Sequence, residues 1–173
     1  MAHIISVRGY TPKIGKDCFL AETATIIGDV TIGDGSSIWF GAVIRGDVNT
    51  ITIGKNVNIQ DNAVIHTLYQ KSTTTIGDNV SIAHNAVIHG ATLEHNCLVG
   101  IGAVVLDHAV IGEGSIVAAN SVILSGAVVE PNSIYAGVPA KKVKDVSAET
   151  ATETVQRISN NYAMYASWYK EDK

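Results

Sequence analysis

The sequence predicts an all-β chain wound as a parallel β-helix of about seven coils with a C-terminal α-helix, and two superposed periodicities predict it. From Ile26, an aliphatic residue recurs at 32, 38 and 44, at 53, 59 and 65, and at 76, 82 and 88. It then recurs every six residues from Leu93 to Val129, and Tyr135 closes the series. Two residues before each of these eighteen positions the side chain is small or Val, as at Ala24, Val30, Ser36, Ala42, Val57, Ala63 and Ser133, with Ile51 the exception. A six-residue period suits neither an amphipathic helix nor a lone hairpin. A triangular coil with three short strands per turn instead places one large and one small residue inward on every side. Coils stack at the strand spacing of ~4.8 Å, so residues of equal phase become vertical neighbours.

The phase breaks three times. Three residues are inserted between Ile44 and Ile53, five between Ile65 and Ile76, and one is missing between Ile88 and Leu93. All three breaks follow the third side of a coil, so they gather at one edge, where loops are either tolerated or functional. Ala136-Gly137-Val138-Pro139-Ala140-Lys141 ends the repeat, and Thr150-x-x-Glu153 carries a helix-start signature. Val155, Ile158, Tyr162, Tyr165 and Tyr169 share one face of that helix, which is expected to pack back along the prism as a lid or as part of a subunit contact. The chain thus divides into a β-helix domain, 1–140, and a C-terminal helical segment, 141–173.

A net charge of −4 with 12 Lys and Arg, and no basic run beyond Lys141-Lys142, argues against nucleic acid or an anionic membrane surface and leaves a small-molecule ligand open. No apolar run approaches the ~20 residues needed to cross a bilayer. Met1-Ala2-His3-Ile4-Ile5 lacks a basic n-region and a long apolar h-region, and Cys18 and Cys97 lie far apart. These features are read as a cytoplasmic protein with two buried free thiols.

Phase also places the histidines. His66 follows Ile65 and His89 follows Ile88, so they stand one above the other, close enough to share a metal at the Zn–N distance of ~2.0–2.1 Å. His84 lies two positions after Ile82 on the second side and should point away from that pair. In a three-fold assembly, His84 of a neighbour would complete the site, which predicts a homotrimer with three interfacial metal centres. His3, His95 and His108 have no stacked partner and read as surface imidazoles. Arg45 continues the column of His66 and His89, Asp61 stacks under His84, and Gln60 stands beside Asp61. Three polar rungs on each face, in a chain with 16% charged residues, suggest an interface around a polar pocket. Arg45 and Asp47 serve equally well as an interface salt bridge or as substrate contacts.

Arg45-Gly46-Asp47, Asn58-Ile59-Gln60-Asp61, His66 and His84-x-x-x-x-His89-Gly90 resemble the signature of the γ-class carbonic anhydrases and their relatives, and the resemblance spans nearly the whole chain. It implies a left-handed β-helix, a handedness that spacing alone does not supply. It also implies Zn2+, with Fe2+ or Co2+ as substitutes, held by His66 and His89 of one subunit and His84 of the next. Arg45 and Asp47 would lie near bicarbonate, Gln60 would orient the metal-bound hydroxide with Asn58 and Asp61 in support, and Tyr162 matches the helix tyrosine that leans over the site. Three neutral imidazoles leave the cation its full charge, which lowers the pKa of bound water to ≈ 7 and makes hydration of carbon dioxide feasible; carbonic anhydrase, on another fold, is the standard example.

The sequence departs from the most active members in the insertion 67–73, which contains no carboxylate, and at Val48, where those enzymes carry an acid. The usual proton shuttle is missing. Other readings are a hexapeptide acyltransferase, suggested by the closing Gly137 to Lys141 segment, a metal-dependent acyl-CoA thioesterase, and a non-catalytic metal-binding scaffold.

Overall fold

A computed structural model describes residues 1–171, among which the described secondary structure comprises short strands and one helix, Ala148–Glu171. The strands wind into a parallel β-solenoid of about 7 turns. Three faces stack in register. The first carries Thr31, Thr52, Thr75 and Thr92 outward, all exposed. The second carries Ser37, Asn58 and Ser81. The third carries Val43, Val64, Val87, Val104 and Val122, all partly buried.

The large residue of each hexapeptide lies on the axis. Ile26, Ile44, Ile65 and Ile88 on the third side, and Ile38, Ile59 and Ile82 on the second, are fully buried, as are their small partners Ala24, Ala42, Ala63 and Ala86. Each such isoleucine removed from water is worth ~1.5–3 kcal/mol, and the column of them is the core. Corners require a left-handed backbone, which Asn and Gly tolerate best. Asn62 and Asn85 turn one corner at φ 58° and 57° in successive coils.

The winding begins earlier than the series starting at Ile26. Ile14 and Leu20 already occupy the six-residue phase in strands Lys13–Ile14 and Phe19–Leu20, and strand His3–Ile5 pairs beneath Thr25–Ile32. Strands Thr25–Ile32 and Val43–Ile53 run unbroken from the third side to the first around the edge that carries the phase breaks. At the other end, strand Ala140–Asp145 folds back antiparallel on Ser133–Gly137. Its Lys141, Lys142 and Lys144 blunt the sheet's last edge.

The helix begins at Ala148, ahead of the expected Thr150, because Ser147 serves as the cap and its Oγ accepts the Thr150 N–H at 3.1 Å. It descends the second face toward the N-terminal coil. Ser159 Oγ donates to the Asn56 carbonyl, Tyr162 packs edge-on to Trp39 at 5.2 Å, and Tyr169 meets Phe19 at 5.5 Å. Val155 is buried and Tyr162 and Tyr165 pack on the core. Ala166 joins them although the apolar stripe did not include it, and Tyr169 packs on Phe19, Trp39 and Phe40 while keeping 44% of its surface exposed. Neither cysteine forms a disulfide. Cys97 is buried, with its thiol pushed up to about 12 by that burial, but Cys18 is only partly covered, correcting the reading of two buried thiols. Among the described residues, no helix is long and apolar enough to cross a membrane.

Candidate metal centre

His66 and His89 end strands Val64–His66 and Val87–His89, and the parallel register sets them directly opposite one another. Their rings lie 5.1 Å apart, with His66 Nδ1 3.2 Å from His89 Nε2. The outer nitrogens face carboxylates: His66 Nε2 lies 3.1 Å from Asp47 Oδ1, and His89 Nδ1 lies 2.9 Å from Asp107 Oδ2. An ionised carboxylate only accepts, so in a neutral ring the outer nitrogen carries the proton and the inner nitrogens, 3.2 Å apart, are the pair left to face a cation. Two ligands of a tetrahedral ion with bonds of ~2.0–2.1 Å sit roughly 3.3 Å apart, so this spacing fits a shared cation.

The charge state agrees with that arrangement. Burial lowers the His66 imidazole below its ordinary value of 6.5 against the opposing pull of Asp47, so it stays neutral and ligand-competent. Burial pushes Asp47 up, but hydrogen bonds from Arg45 and His66 outweigh it and hold the carboxyl below the usual range. Asp107 behaves alike, with burial overcome by Ser72 and His89. Arg45 Nη1 meets Asp47 Oδ2 at 2.7 Å, forming a chain from guanidinium through carboxylate to imidazole.

His84 stands at another corner of the prism. Its Nδ1 lies 2.9 Å from Asp61 Oδ2 and its Nε2 lies 3.3 Å from the Tyr162 hydroxyl. Tyr162, pushed up to about 12 by burial and by the Asp61 charge, remains a neutral phenol. Gln60 and Asn58 are buried on the same side; Gln60 Nε2 donates to Asn58 Oδ1 at 3.0 Å, and Asn58 Nδ2 donates to Ser81 Oγ at 2.7 Å. The candidates therefore form two groups: Arg45, Asp47, His66 and His89 at one edge, and Asn58, Gln60, Asp61, His84 and Tyr162 at the other. Among the described residues no single cluster of three or more metal-ligating side chains occurs within the chain.

Two participants escaped the sequence reading. Asp107 follows Leu106, which continues the column of His66 and His89, so a carboxylate near the next rung was the available signal. Arg8 gave no periodic signal; it comes from an N-terminal turn, donates Nη1 to the Asp47 carbonyl at 3.2 Å and stacks over Tyr69 at 5.6 Å.

Comparison with known proteins places the chain in a lineage. The family model of bacterial transferase hexapeptide repeats matches residues 11–46 and 90–125. A carbonic anhydrase of Geobacillus kaustophilus is 41% identical over 167 residues, covering 96% of this chain and 91% of that one. The mitochondrial gamma carbonic anhydrase 2 of Arabidopsis thaliana is 40% identical over 109 residues, which cover 60% of this chain but 39% of the plant protein. A hexapeptide transferase family protein of Anaplasma phagocytophilum superposes with a TM-score of 0.91 at 40% identity, over 96% of this chain and 98% of the other. With the repeat, the paired histidines and a relative aligned along nearly its full length, the chain belongs to the γ-class carbonic anhydrases and the γ-carbonic-anhydrase-like hexapeptide-repeat proteins.

Proposed function

We propose that this protein catalyses the metal-dependent reversible hydration of carbon dioxide to bicarbonate, at sites shared between the subunits of a homotrimer. The observation that carries the reading is that His66, His84 and His89 each have one ring nitrogen against a carboxylate: Asp47, Asp61 and Asp107 respectively. Carboxylate-oriented imidazoles are how proteins prepare histidines for a cation. His66 and His89 would hold the ion from one subunit and His84 from the next, leaving a fourth position open, and a three-imidazole set suits Zn2+, with Fe2+ or Co2+ as substitutes. When bound, such a cation supplies a Lewis acid that activates water near neutral pH.

The chain's own residues would do the rest. Arg45, with 41% of its side chain exposed, offers a guanidinium to the bicarbonate anion while Asp47 fixes its position. Gln60, its amide pinned by Asn58, would orient the reacting water. The Tyr162 hydroxyl stands 3.3 Å from the His84 nitrogen that would face the cation, so the phenol would have to swing aside for that nitrogen to serve as a ligand.

The trimer reading draws support from the third face. Its valines form an apolar strip with His84 at one margin and His66 and His89 at the other, which suits a second copy that brings the complementary half-site. The 67–73 loop and Val48 supply no acid, so turnover is expected to be slow and buffer-dependent.

Metal content and oligomeric mass, measured on wild type and on His84→Ala, test the reading. Roughly one zinc or iron per chain in a trimer, lost in the variant, supports it and leads to hydration assays. Wild-type protein that stays metal-free after reconstitution defeats it and favours the hexapeptide acyltransferase reading, which needs no metal.

A further inference from the structure

Two of the three irregularities that interrupt the six-residue phase converge on one carboxylate, Asp107. The five-residue insertion after Ile65 supplies Ser72, which is buried and whose Oγ accepts the Leu68 N–H at 3.0 Å and donates to Asp107 Oδ1 at 2.6 Å. The missing residue after Ile88 brings in Gly90 at φ 60°. A Cβ on Gly90 would overlap both Ser72 Oγ and Asp107 Oδ1. The backbone is bare where the carboxylate passes. Asp107 Oδ2 then reaches His89 Nδ1 at 2.9 Å, with 20% of the Asp107 side chain exposed.

We propose that Asp107, braced by Ser72 and admitted by Gly90, is a positioning residue that fixes His89 as its Nδ1–H tautomer and so presents Nε2 to a divalent cation. The carboxylate has no proton to give, so the hydrogen bond can form in only one sense. The loop insertion, which carries no shuttle acid, thereby serves as the brace for a metal ligand. This inference rests on the proposed metal centre, and its test separates the two.

The tautomer is readable without metal. In metal-free protein labelled with 15N-histidine, the His89 ring should show Nδ1–H in the wild type and lose that preference in Asp107→Ala. An Nε2–H tautomer in the wild type overturns the proposal. Zinc affinity by competition with a chromophoric chelator should then fall about 10–100-fold in Asp107→Ala. The milder Asp107→Asn and Ser72→Ala should give smaller losses, and the cobalt-loaded forms should show altered visible bands. Far-UV circular dichroism and mass on each variant guard against misfolding, and Ser72→Ala keeps the test alive if Asp107→Ala does not fold. Wild-type affinity and unchanged cobalt bands in both Asp107→Ala and Ser72→Ala sink the proposal but leave the metal centre standing. A wild type that binds neither ion removes the metal centre and the proposal with it.

Discussion

Replacing Val64 by Asp tests the subunit interface without touching the core. Val64 points outward on the third face, in register with Val43 below and Val87 above, while its neighbours Ala63 and Ile65 are fully buried on the axis. A carboxylate there leaves the interior packing unchanged but must be desolvated whenever a second subunit covers the face. Losing the valine's burial costs about 1.5–3 kcal/mol, and an unpaired buried carboxylate costs several kcal/mol more. A floor of ~3 kcal/mol for each subunit gives ~9 kcal/mol for a trimer, roughly 10⁶-fold in its equilibrium with monomers. Light scattering coupled to size-exclusion chromatography should therefore show a trimer for the wild type and a monomer for Val64→Asp, with the β-rich circular dichroism kept. Thr75→Asp, on the exposed threonine face, should stay trimeric. If Val64→Asp keeps the wild-type mass, or if Thr75→Asp dissociates equally, the valine strip is not the contact and the reasoning fails.

Two further outcomes follow from the site. Tyr162→Phe removes the hydroxyl near His84 Nε2 but keeps the ring against Trp39, so zinc should bind at least as tightly as in wild type while the helix stays docked; a ten-fold loss of affinity would instead make the hydroxyl part of the centre. Thermal unfolding of the metal-free protein should weaken in two stages as pH falls. The folded-state value of His66 is depressed, so its contribution is intact above the ordinary 6.5 and fades as pH drops through and below it. Asp47 and Asp107, also depressed, contribute above the ordinary 3.8 and lose that contribution as pH falls through their lowered values. In His66→Gln the decline that starts near 6.5 should shrink and the acid decline remain; an unchanged upper limb would show that His66 does not contribute it.

The pairing of His66 with His89 was legible because a β-helix converts sequence phase into height, and both residues follow a third-side isoleucine. The same arithmetic placed His84 on another face above Asp61. It could not find Asp107, since the path of a corner side chain depends on how the 67–73 loop and Gly90 fold, and no periodicity governs those. Arg8 was hidden for a like reason, as it reaches Asp47 and Tyr69 from a turn outside the repeat.

The sequence by itself determined the coil, its core column and the vertical order of the histidines, because six-residue spacing and inward alternation are local rules repeated along the whole chain. Only the tertiary structure decided which nitrogen of each imidazole faces a carboxylate, where the helix begins and how the last strand closes the solenoid. Those features depend on hydrogen bonds between residues on different coils and corners, whose directions are set once the backbone has packed and not before.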